Sequence, residues 1–288
     1  MIIVDPKKSK GIVWLASYPK SGNTWLRMFL YQMMRIQGGY PREDDELNKL
    51  DRASGYEGRL FGLFQQFLGK PLSEASDTEV MSVRALVHVT VAERMPNIAL
   101  LKTHNLLGAI EQAPLINLKA SVGAIYLVRD PRDVAPSLAK HHGSTIDEAI
   151  AVMNTPRYAT RTGPETVFEV WGTWSQHVHS WTMEPHPATL VVRYEDMLTK
   201  PTDTFTAIAR HLRQKPTPEQ IAEAIELSSF DKLKRQEDQY DFRERSERAD
   251  RFFVSGAAGG WRETLTPAQA DTIAANHGEE MRKFGYLA

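Results

Sequence analysis

Short apolar runs alternate with amphipathic segments along the chain, and this alternation predicts an α/β fold. The first apolar run, Gly11 to Ser17, is typical of a buried strand. From Thr24 onward, apolar residues recur at close to helical spacing until Gly38 and Gly39 end the pattern. The chain therefore begins with a strand, a loop and a helix.

The same alternation continues through the rest of the sequence. Further strands are predicted at residues 97–102, 122–128 and 188–192, and helices at 77–94, 203–213 and 218–227. Strands that alternate with helices form parallel βαβ units, so the pattern predicts one parallel central sheet covered on both faces by helices. We expect a single domain over residues 1–288, with variable segments at about 40–95 and 144–165.

Composition narrows the class of protein. The chain has 288 residues, 42% of them hydrophobic, and a formal net charge of −1, so it has no global basic field for nucleic acid. It contains no cysteine, which excludes disulfides, a thiol nucleophile and a thiolate metal site. The first residues lack the order of a signal peptide, and no apolar run approaches ~20 residues. We expect a cytoplasmic protein without stable membrane association.

The loop Lys20-Ser-Gly-Asn-Thr-Trp25 follows the first strand and opens the first helix. Its glycine permits a tight turn, and the helix start offers N–H groups to an anion. The lysine precedes the glycine, so the loop is not a Walker A sequence. It predicts a phosphate site with a lysine at the breaking bond. The alternative is a surface turn.

Two later strands also end in groups that suit chemistry on an anion. Arg129 follows the strand at 122–128, where a kinase would carry an aspartate for Mg²⁺, and its planar fork suits a second phosphate. Ser137 lies two turns into the next helix. Arg129 would otherwise form an ion pair with Asp130 or Asp133.

His104 and Lys102 lie at the end of the strand at 97–102. A histidine can take a proton from a hydroxyl near neutral pH, although a lone histidine is more often structural. Ligands of parallel sheets sit beyond the carboxyl ends of the strands. His104 is therefore a candidate general base that acts with Lys20.

Three other segments give weaker evidence for a functional role. His141-His142 has no partner at ligand spacing, so a helix surface is favoured over a metal site. The aromatic residues of segment 171–181 recur at helical intervals, which favours a core helix over a platform for bases. The apolar segment 60–68 suits either a core helix or a lid over an acceptor.

Together these residues resemble the sulfotransferase superfamily, the cytosolic type that uses 3′-phosphoadenosine 5′-phosphosulfate (PAPS). The resemblance covers most of the chain and rests on separate motifs in the family's order. The motifs are YPKSGNTW, LKTHNLL, VRDPRDVAPS, RYEDM, SSFDKLK and GAAGGWRETLT. It implies a P-loop NTPase-like topology and transfer of a sulfuryl group from PAPS to a hydroxyl or amine of a small-molecule acceptor.

The resemblance also implies roles for individual residues. Lys20 would stabilise the leaving phosphate, Lys102 would lie beside the sulfuryl group, and His104 would be the general base. Arg129 and Ser137 would hold the 3′-phosphate. The remaining residues implied in nucleotide binding are Ser21, Gly22, Asn23, Thr24, Trp25, Tyr194, Ser228, Ser229, Phe230 and Gly256. No metal is implied.

One departure from the family pattern concerns the segment before Gly256. The family usually has Arg-Lys there, whereas this chain has Val254-Ser255. Arg251 or Arg262 could compensate, or donor binding is weaker. Two rival functions stay open. A nucleotide-dependent kinase is opposed by Arg129, which stands where a kinase would have an aspartate. A non-catalytic module that binds 3′-phosphoadenosine 5′-phosphate (PAP) is favoured by Val254-Ser255 and opposed by the intact Lys20 and His104. The family's dimer segment is matched only loosely because Pro267 falls within it, so the oligomeric state is open.

Overall fold

The computed structural model describes residues 10–246, 248–254 and 256–288. Ser255, one of the two residues that depart from the family pattern, lies outside the described residues. The chain divides into two compact units, each assembled from separate segments. The first unit contains residues 10–18, 55–126 and 154–191, and the second contains 19–54, 127–153 and 192–288. The expectation of one domain over the whole chain stays a prediction.

Seven strands form two sheets in the described part of the chain. They are β1 (Gly11–Ser17), β2 (Gly55–Tyr56), β3 (Ile98–Thr103), β4 (Ala109–Ile110), β5 (Ala113–Pro114), β6 (Ser121–Val128) and β7 (Thr189–Arg193). The larger sheet has the order β2-β3-β1-β6-β7, and the smaller pairs β4 with β5. β1 and β2 both run parallel to β3, with Ala16 opposite Thr103.

Helices connect most of these strands. They are α1 (Asn23–Gln37), α2 (Phe61–Leu68), α3 (Asp77–Arg94), α4 (Pro131–His142), α5 (Ile146–Asn154), α6 (Trp174–Thr182), α7 (Tyr194–Thr199), α8 (Pro201–His211), α9 (Pro218–Leu227), α10 (Phe230–Gln239), α11 (Trp261–Thr264) and α12 (Pro267–Lys283). The fold is therefore α/β with a parallel central sheet, as the hydrophobic pattern predicts.

The predicted elements are present, with small shifts at their ends. β1, α3 and α9 have the predicted bounds. α8 begins two residues before its predicted start because Pro201 fits the first helical turn. It ends before Arg213, whose φ of 57° is left-handed and breaks the helix. β3 runs one residue further than predicted, through Thr103.

The core of the first unit forms around β1, every residue of which is buried. The indole of Trp14 is fully buried, and its Nε1 donates to Ser121 Oγ at 2.7 Å. Helices α2 and α3 pack together, and Phe64 is the buried residue of α2. Burial of Phe64 agrees with the core-helix interpretation of segment 60–68.

The second unit has its own apolar cluster beneath α1. Its buried members are Met28, Tyr31, Leu47, Leu50, Leu233, Phe242 and Phe253. Beside it, the fully buried guanidinium of Arg27 pairs with Glu244 at 2.6 Å and donates to Ser54 Oγ at 2.9 Å. A buried charge of this kind is stable only when its donors are satisfied, so this ion pair ties α1 to two distant segments.

The described residues contain no helix that is both long enough and apolar enough to span a bilayer.

Candidate active site

The first candidate region, in the second unit, is the loop that joins β1 to α1. Lys20 has a φ of 66° and Gly22 a φ of 97°, so two residues of this turn adopt left-handed backbone conformations. Strain of this kind at a residue with a side chain costs about 1–3 kcal/mol and is commonly found at functional sites. A Cβ at Gly22 would lie 2.6 Å from the Tyr194 ring, so only glycine fits this position.

The start of α1 has the features of an anion site. Gly22 is the N-cap and supplies no side-chain acceptor, and the first turn contains no acidic residue. N–H groups of a first helical turn have no acceptor inside the helix. Among the described residues, the buried Ser21 Oγ also has no hydrogen-bond partner. Hydrogen-bond donors beside a positive helix end are what a phosphate needs.

Arg129 lies against the same loop. Its guanidinium donates to Lys20 O at 3.0 Å and to Ala257 O at 3.1 Å, and it lies 4.2 Å from the centre of the Tyr194 ring. Its buried Nε has no partner among the described residues. Arg129 therefore contacts both the loop at residues 20–25, called the lysine loop below, and the loop at residues 256–260, called the glycine-rich loop. One edge of its guanidinium is kept for a ligand.

The alternative ion pairs for Arg129 do not form, because both candidate carboxylates have other partners. Asp130 pairs with Arg132 at 2.7 Å. Asp133 accepts from the backbone N–H of Gly259 at 2.7 Å and of Trp261 at 2.9 Å. Asp133 thus fixes the glycine-rich loop, a role that sequence reasoning missed although the residue lies in the VRDPRD motif.

Cations lie near the loop at residues 20–25. Lys20 Nζ lies 4.1 Å from the centre of the Phe252 ring. Burial lowers the pKa of His142, and the charges of Lys20 and Arg248 lower it further. His142 is therefore held near two cations, which is an environment suited to a polyanionic ligand.

The other residues of the second unit that are predicted to bind the nucleotide differ in burial and in contacts. Tyr194 is buried, and burial raises the pKa of its phenol. The fully buried Ser228 donates its hydroxyl to Ala224 O at 2.8 Å. Phe230 packs so closely on Gly256 that a Cβ there would lie 2.3 Å from its ring. Ser137 is partly exposed on α4.

The region that departs from the family pattern contains cations with other partners. Val254 is exposed and uncharged. Arg251 pairs with Asp238 at 2.9 Å, and Arg262 lies 4.5 Å from the centre of the Trp261 ring. Whether either arginine contacts a donor phosphate stays a prediction.

The second candidate region, in the first unit, surrounds His104 at the end of β3. Its Nδ1 lies 2.8 Å from Ser17 O, and a carbonyl oxygen only accepts. Nδ1 therefore carries the proton, which leaves Nε2 as the basic atom of the ring. His104 is buried, so this tautomer is fixed by its strand neighbour rather than by solvent.

The main chain of His104 is held on both sides. Glu169 Oε1 accepts from its N–H at 2.8 Å, and His177 Nε2 donates to its carbonyl at 3.1 Å. Burial lowers the pKa of His177 to about 3, so this ring stays neutral, and its Nδ1 accepts from Tyr126 OH at 2.9 Å. Glu169 lies outside the quoted motifs, and His177 lies in segment 171–181, for which the sequence predicted a core helix but no contact with His104.

Lys102 lies on the same strand as His104. Its Nζ is 4.1 Å from the centre of the Tyr56 ring, and the Tyr56 hydroxyl donates to Glu169 Oε2 at 2.7 Å. Behind this group, the ionised Glu57 accepts from Thr103 Oγ1 at 2.8 Å. Sequence reasoning missed Tyr56, Glu57 and Glu169.

Glu57 is the centre of a fully buried network in the first unit. Arg84 pairs with its carboxylate, His88 Nε2 lies 3.2 Å from it, and Asn105 donates at 2.7 Å. Although burial alone would raise it, the pKa of Glu57 is lowered to about 2, with the charge of Arg84 the largest lowering influence. This network makes the end of β3 rigid.

The described residues contain no cluster of three or more histidine, aspartate or glutamate side chains that could hold a metal ion. His141 and His142 lie at the end of α4, where their imidazole rings are tilted by 39° with 5.7 Å between centres. Both residues belong to a helix, as the helix-surface interpretation predicts, and each is partly buried.

Comparison with known proteins adds independent findings. The model of the sulfotransferase domain family matches residues 10–285. Sulfotransferase 1A1 of Bos taurus is 25% identical over 281 residues, which cover 93% of this chain and 82% of the relative. The rat enzyme of the same name is 28% identical over 281 residues, with coverage of 93% and 83%.

Solved structures show the same fold. A crystal structure of retinol dehydratase with retinol and PAP matches with a TM-score of 0.61 and 22% identity, covering 97% of this chain and 83% of that chain. A mouse sulfotransferase in complex with PAP matches with a TM-score of 0.59 and 19% identity, covering 94% and 84%. These likenesses confirm the predicted α/β fold with its P-loop-like topology.

Proposed function

The chain belongs to the sulfotransferase domain family, and we propose that it transfers the sulfuryl group of PAPS to a hydroxyl or amine of a small-molecule acceptor. The observation that carries the choice of donor is the loop after β1. The start of α1 and the unpartnered Ser21 Oγ offer donors to one phosphate group. The unpartnered Nε of Arg129, which lies against this loop, offers a donor to a second. Two solved neighbours are complexes with PAP, the product that such a donor leaves.

Each reacting residue has a distinct task in this proposal. PAPS, when bound, supplies a sulfuryl group on a phosphate leaving group. The bond from sulfur to the phosphate oxygen breaks and a bond to the acceptor oxygen forms. The His104 Nε2 takes the acceptor's proton, and the Lys20 ammonium offsets the charge on the leaving phosphate. Lys102 acts beside the sulfuryl oxygens.

The remaining residues bind the donor. Residues 21–25 surround the 5′-phosphate, and Arg129 with Ser137 holds the 3′-phosphate. Tyr194, residues 228–230 and Gly256 line the nucleotide. Val254 brings no charge to this site, so we expect PAP to bind more weakly than to a relative with Arg-Lys there, by tenfold or more. No metal has a role in these steps.

A ligand-binding test separates this donor from ATP. We expect PAP to raise the melting temperature of the protein by more than ATP with Mg²⁺ does, because only PAP presents a phosphate to both Arg129 and the helix start. Differential scanning fluorimetry at matched ligand concentrations measures both. The reverse ranking would favour a nucleotide-dependent kinase.

A variant of the lysine tests the chemistry. We expect Lys20→Ala to lower turnover about 10²–10³-fold, the loss found when one preorganised donor to developing charge is removed. Lys10→Ala, on an exposed residue before β1, is the matched control. Turnover of Lys20→Ala close to that of the control would remove the lysine from the mechanism.

For the acceptor we propose an apolar or phenolic molecule that reaches the protein in the cytoplasm. The partly buried residues Leu60, Phe61, Leu63 and Phe67 pack around the buried Phe64 and give this part of the first unit an apolar character. Screening phenols, aliphatic alcohols and amines with radiolabelled PAPS tests the class. Transfer to charged, non-aromatic acceptors alone would overturn it.

A further inference from the structure

Tyr56 and Glu169 contact both proposed reacting groups of the first unit. The Glu169 carboxylate accepts from the His104 N–H at 2.8 Å and from the Tyr56 hydroxyl at 2.7 Å. The Tyr56 ring faces the Lys102 ammonium at 4.1 Å and meets the His104 ring edge-on, 6.1 Å between centres. One carboxylate and one phenol thus join the two groups.

We propose that Tyr56 and Glu169 are positioning residues for sulfuryl transfer: Glu169 holds the His104 main chain and the Tyr56 hydroxyl, and the Tyr56 ring holds the Lys102 ammonium. This inference rests on the proposed function, because Tyr56 and Glu169 would position Lys102 and His104, whose roles in transfer are themselves proposed. Both residues lie outside the motifs that identify the family.

The arrangement needs the ionised carboxylate. Each oxygen of Glu169 accepts one hydrogen bond, one from the His104 N–H and one from the Tyr56 hydroxyl. A protonated carboxyl has one acceptor oxygen and one O–H that donates, so it cannot accept equally from both groups. Protonation would remove the charge-assisted hydrogen bond from the Tyr56 hydroxyl, and so loosen the ring that faces Lys102.

The surroundings of Glu169 bring the pKa of its carboxyl group close to neutral pH. Burial and, to a smaller extent, the neighbouring charge of Glu57 raise the pKa of Glu169 to a net value of about 7. The His104 N–H, the Tyr56 hydroxyl and the Lys102 ammonium act in the opposite direction. The carboxylate form therefore becomes populated as pH rises through about 7, and the aligned state of Lys102 rises with it.

The cation–π contact between Lys102 and Tyr56 determines how much kcat should fall when the Tyr56 ring is removed. Such contacts change rates or affinities by about 2- to 30-fold, with larger effects at desolvated sites. Lys102 is 7% exposed, which places the pair toward the larger effect. Tyr56→Leu should lower kcat by about tenfold and leave KM for PAPS nearly unchanged, because neither residue is proposed to bind the nucleotide.

The decisive experiment is a double-mutant cycle between Tyr56 and Lys102. Tyr56→Leu is measured alone and in a Lys102→Met background, by single-turnover transfer from radiolabelled PAPS to para-nitrophenol. Tyr240→Leu, on a half-exposed tyrosine of the second unit, is the control. We expect Tyr56→Leu to cost much less in the Lys102→Met background than in the wild type, because the ring then has no ammonium to hold.

An equal or larger loss in the two backgrounds, or a loss no greater than that of Tyr240→Leu, overturns the role of Tyr56. If Tyr56→Leu does not fold, the near-isosteric pair Tyr56→Phe and Glu169→Gln replaces it. These two changes remove the same hydrogen bond, so their losses in kcat should not add. Additive losses overturn the proposal.

A pH profile tests Glu169 itself. Wild-type kcat should rise as pH increases through about 7, and Glu169→Gln should have a lower kcat and lack the part of that rise that the Glu169 carboxylate supplies. Glu184→Gln, on an exposed residue of the same unit, should retain the wild-type profile. An unchanged profile in Glu169→Gln overturns the role of the carboxylate.

The same assays separate this inference from the function on which it rests. Lys102→Met and His104→Ala should each lose turnover. If both keep wild-type kcat, the proposed function fails and the positioning roles fail with it. If both lose turnover while Tyr56→Leu and Glu169→Gln behave as their controls, only the positioning roles fail.

Discussion

The substitution Gly22→Ala adds one carbon to the lysine loop and so tests its geometry. Its φ of 97° lies in the left-handed region, and a Cβ there would lie 2.6 Å from the Tyr194 ring. That ring in turn covers the Arg129 guanidinium, 4.2 Å from the ring centre. Gly22→Ala should therefore disturb both the helix start and Arg129.

Gly39 allows the two costs of this substitution to be separated. Its φ of 66° is also left-handed, but a Cβ there would meet nothing within 4 Å. Gly39→Ala should thus cost only the backbone term, about 1–2 kcal/mol of unfolding free energy. Gly22→Ala adds displacement of the ring, about 1–3 kcal/mol. The sum is about 2–5 kcal/mol.

Binding of PAP gives the functional half of the same experiment. A charge-assisted hydrogen bond contributes about 1.5–3 kcal/mol, so loss of one Arg129 contact weakens binding at least tenfold. Titration calorimetry on Gly22→Ala should show this loss, and Gly39→Ala should bind PAP as the wild type does. Equal affinities in the two variants would refute the reasoning that Gly22 shapes a phosphate site.

Three further predictions concern buried carboxylates. Glu57→Gln should lower the free energy of unfolding by about 3–5 kcal/mol, because a buried guanidinium loses its counter-charge; a loss under about 1 kcal/mol in urea denaturation would contradict this. Asp133→Asn should weaken PAP binding about tenfold, because the Gly259 and Trp261 N–H groups lose a charged acceptor; unchanged affinity in calorimetry would exclude that role. The pKa of Glu169 is raised from 4.5 to about 7, so the folded state binds more protons than the unfolded chain between these values. The free energy of unfolding should therefore fall by about 3 kcal/mol from pH 4.5 to 7, and a fall of the same size in Glu169→Gln would contradict the assignment.

Hydrophobic periodicity predicted the architecture because burial and periodicity are linked in this chain. Every residue of β1 is buried, which matches its short apolar run in the sequence. The capping box of Ser76 and Glu79 marks the start of α3 in the sequence as clearly as in the structure. The ends of α8 were predicted less well, since they depend on Pro201 and on the left-handed Arg213.

The lysine loop was predictable for a similar reason, because glycine, hydroxyl residues and a helix start adjoin one another in sequence. The structure places Arg129 against that loop, as expected of two parts of one site. Tyr56 and Glu169 were not predictable. They lie more than 100 residues apart, and their contact depends on tertiary packing that no local pattern encodes. That Lys20, His104 and Arg129 act on one donor stays a prediction.

Transfer of labelled sulfur tests the central claim most directly. The protein is incubated with radiolabelled PAPS and a phenol from the screen, and the labelled product is counted for the wild type, His104→Ala and His179→Ala, an exposed histidine of the same unit. PAP affinity is measured on the same preparations. We predict transfer by the wild type and His179→Ala, and a loss of about 10²–10⁴-fold in His104→Ala with PAP affinity retained. Transfer by His104→Ala at the wild-type rate would contradict the account.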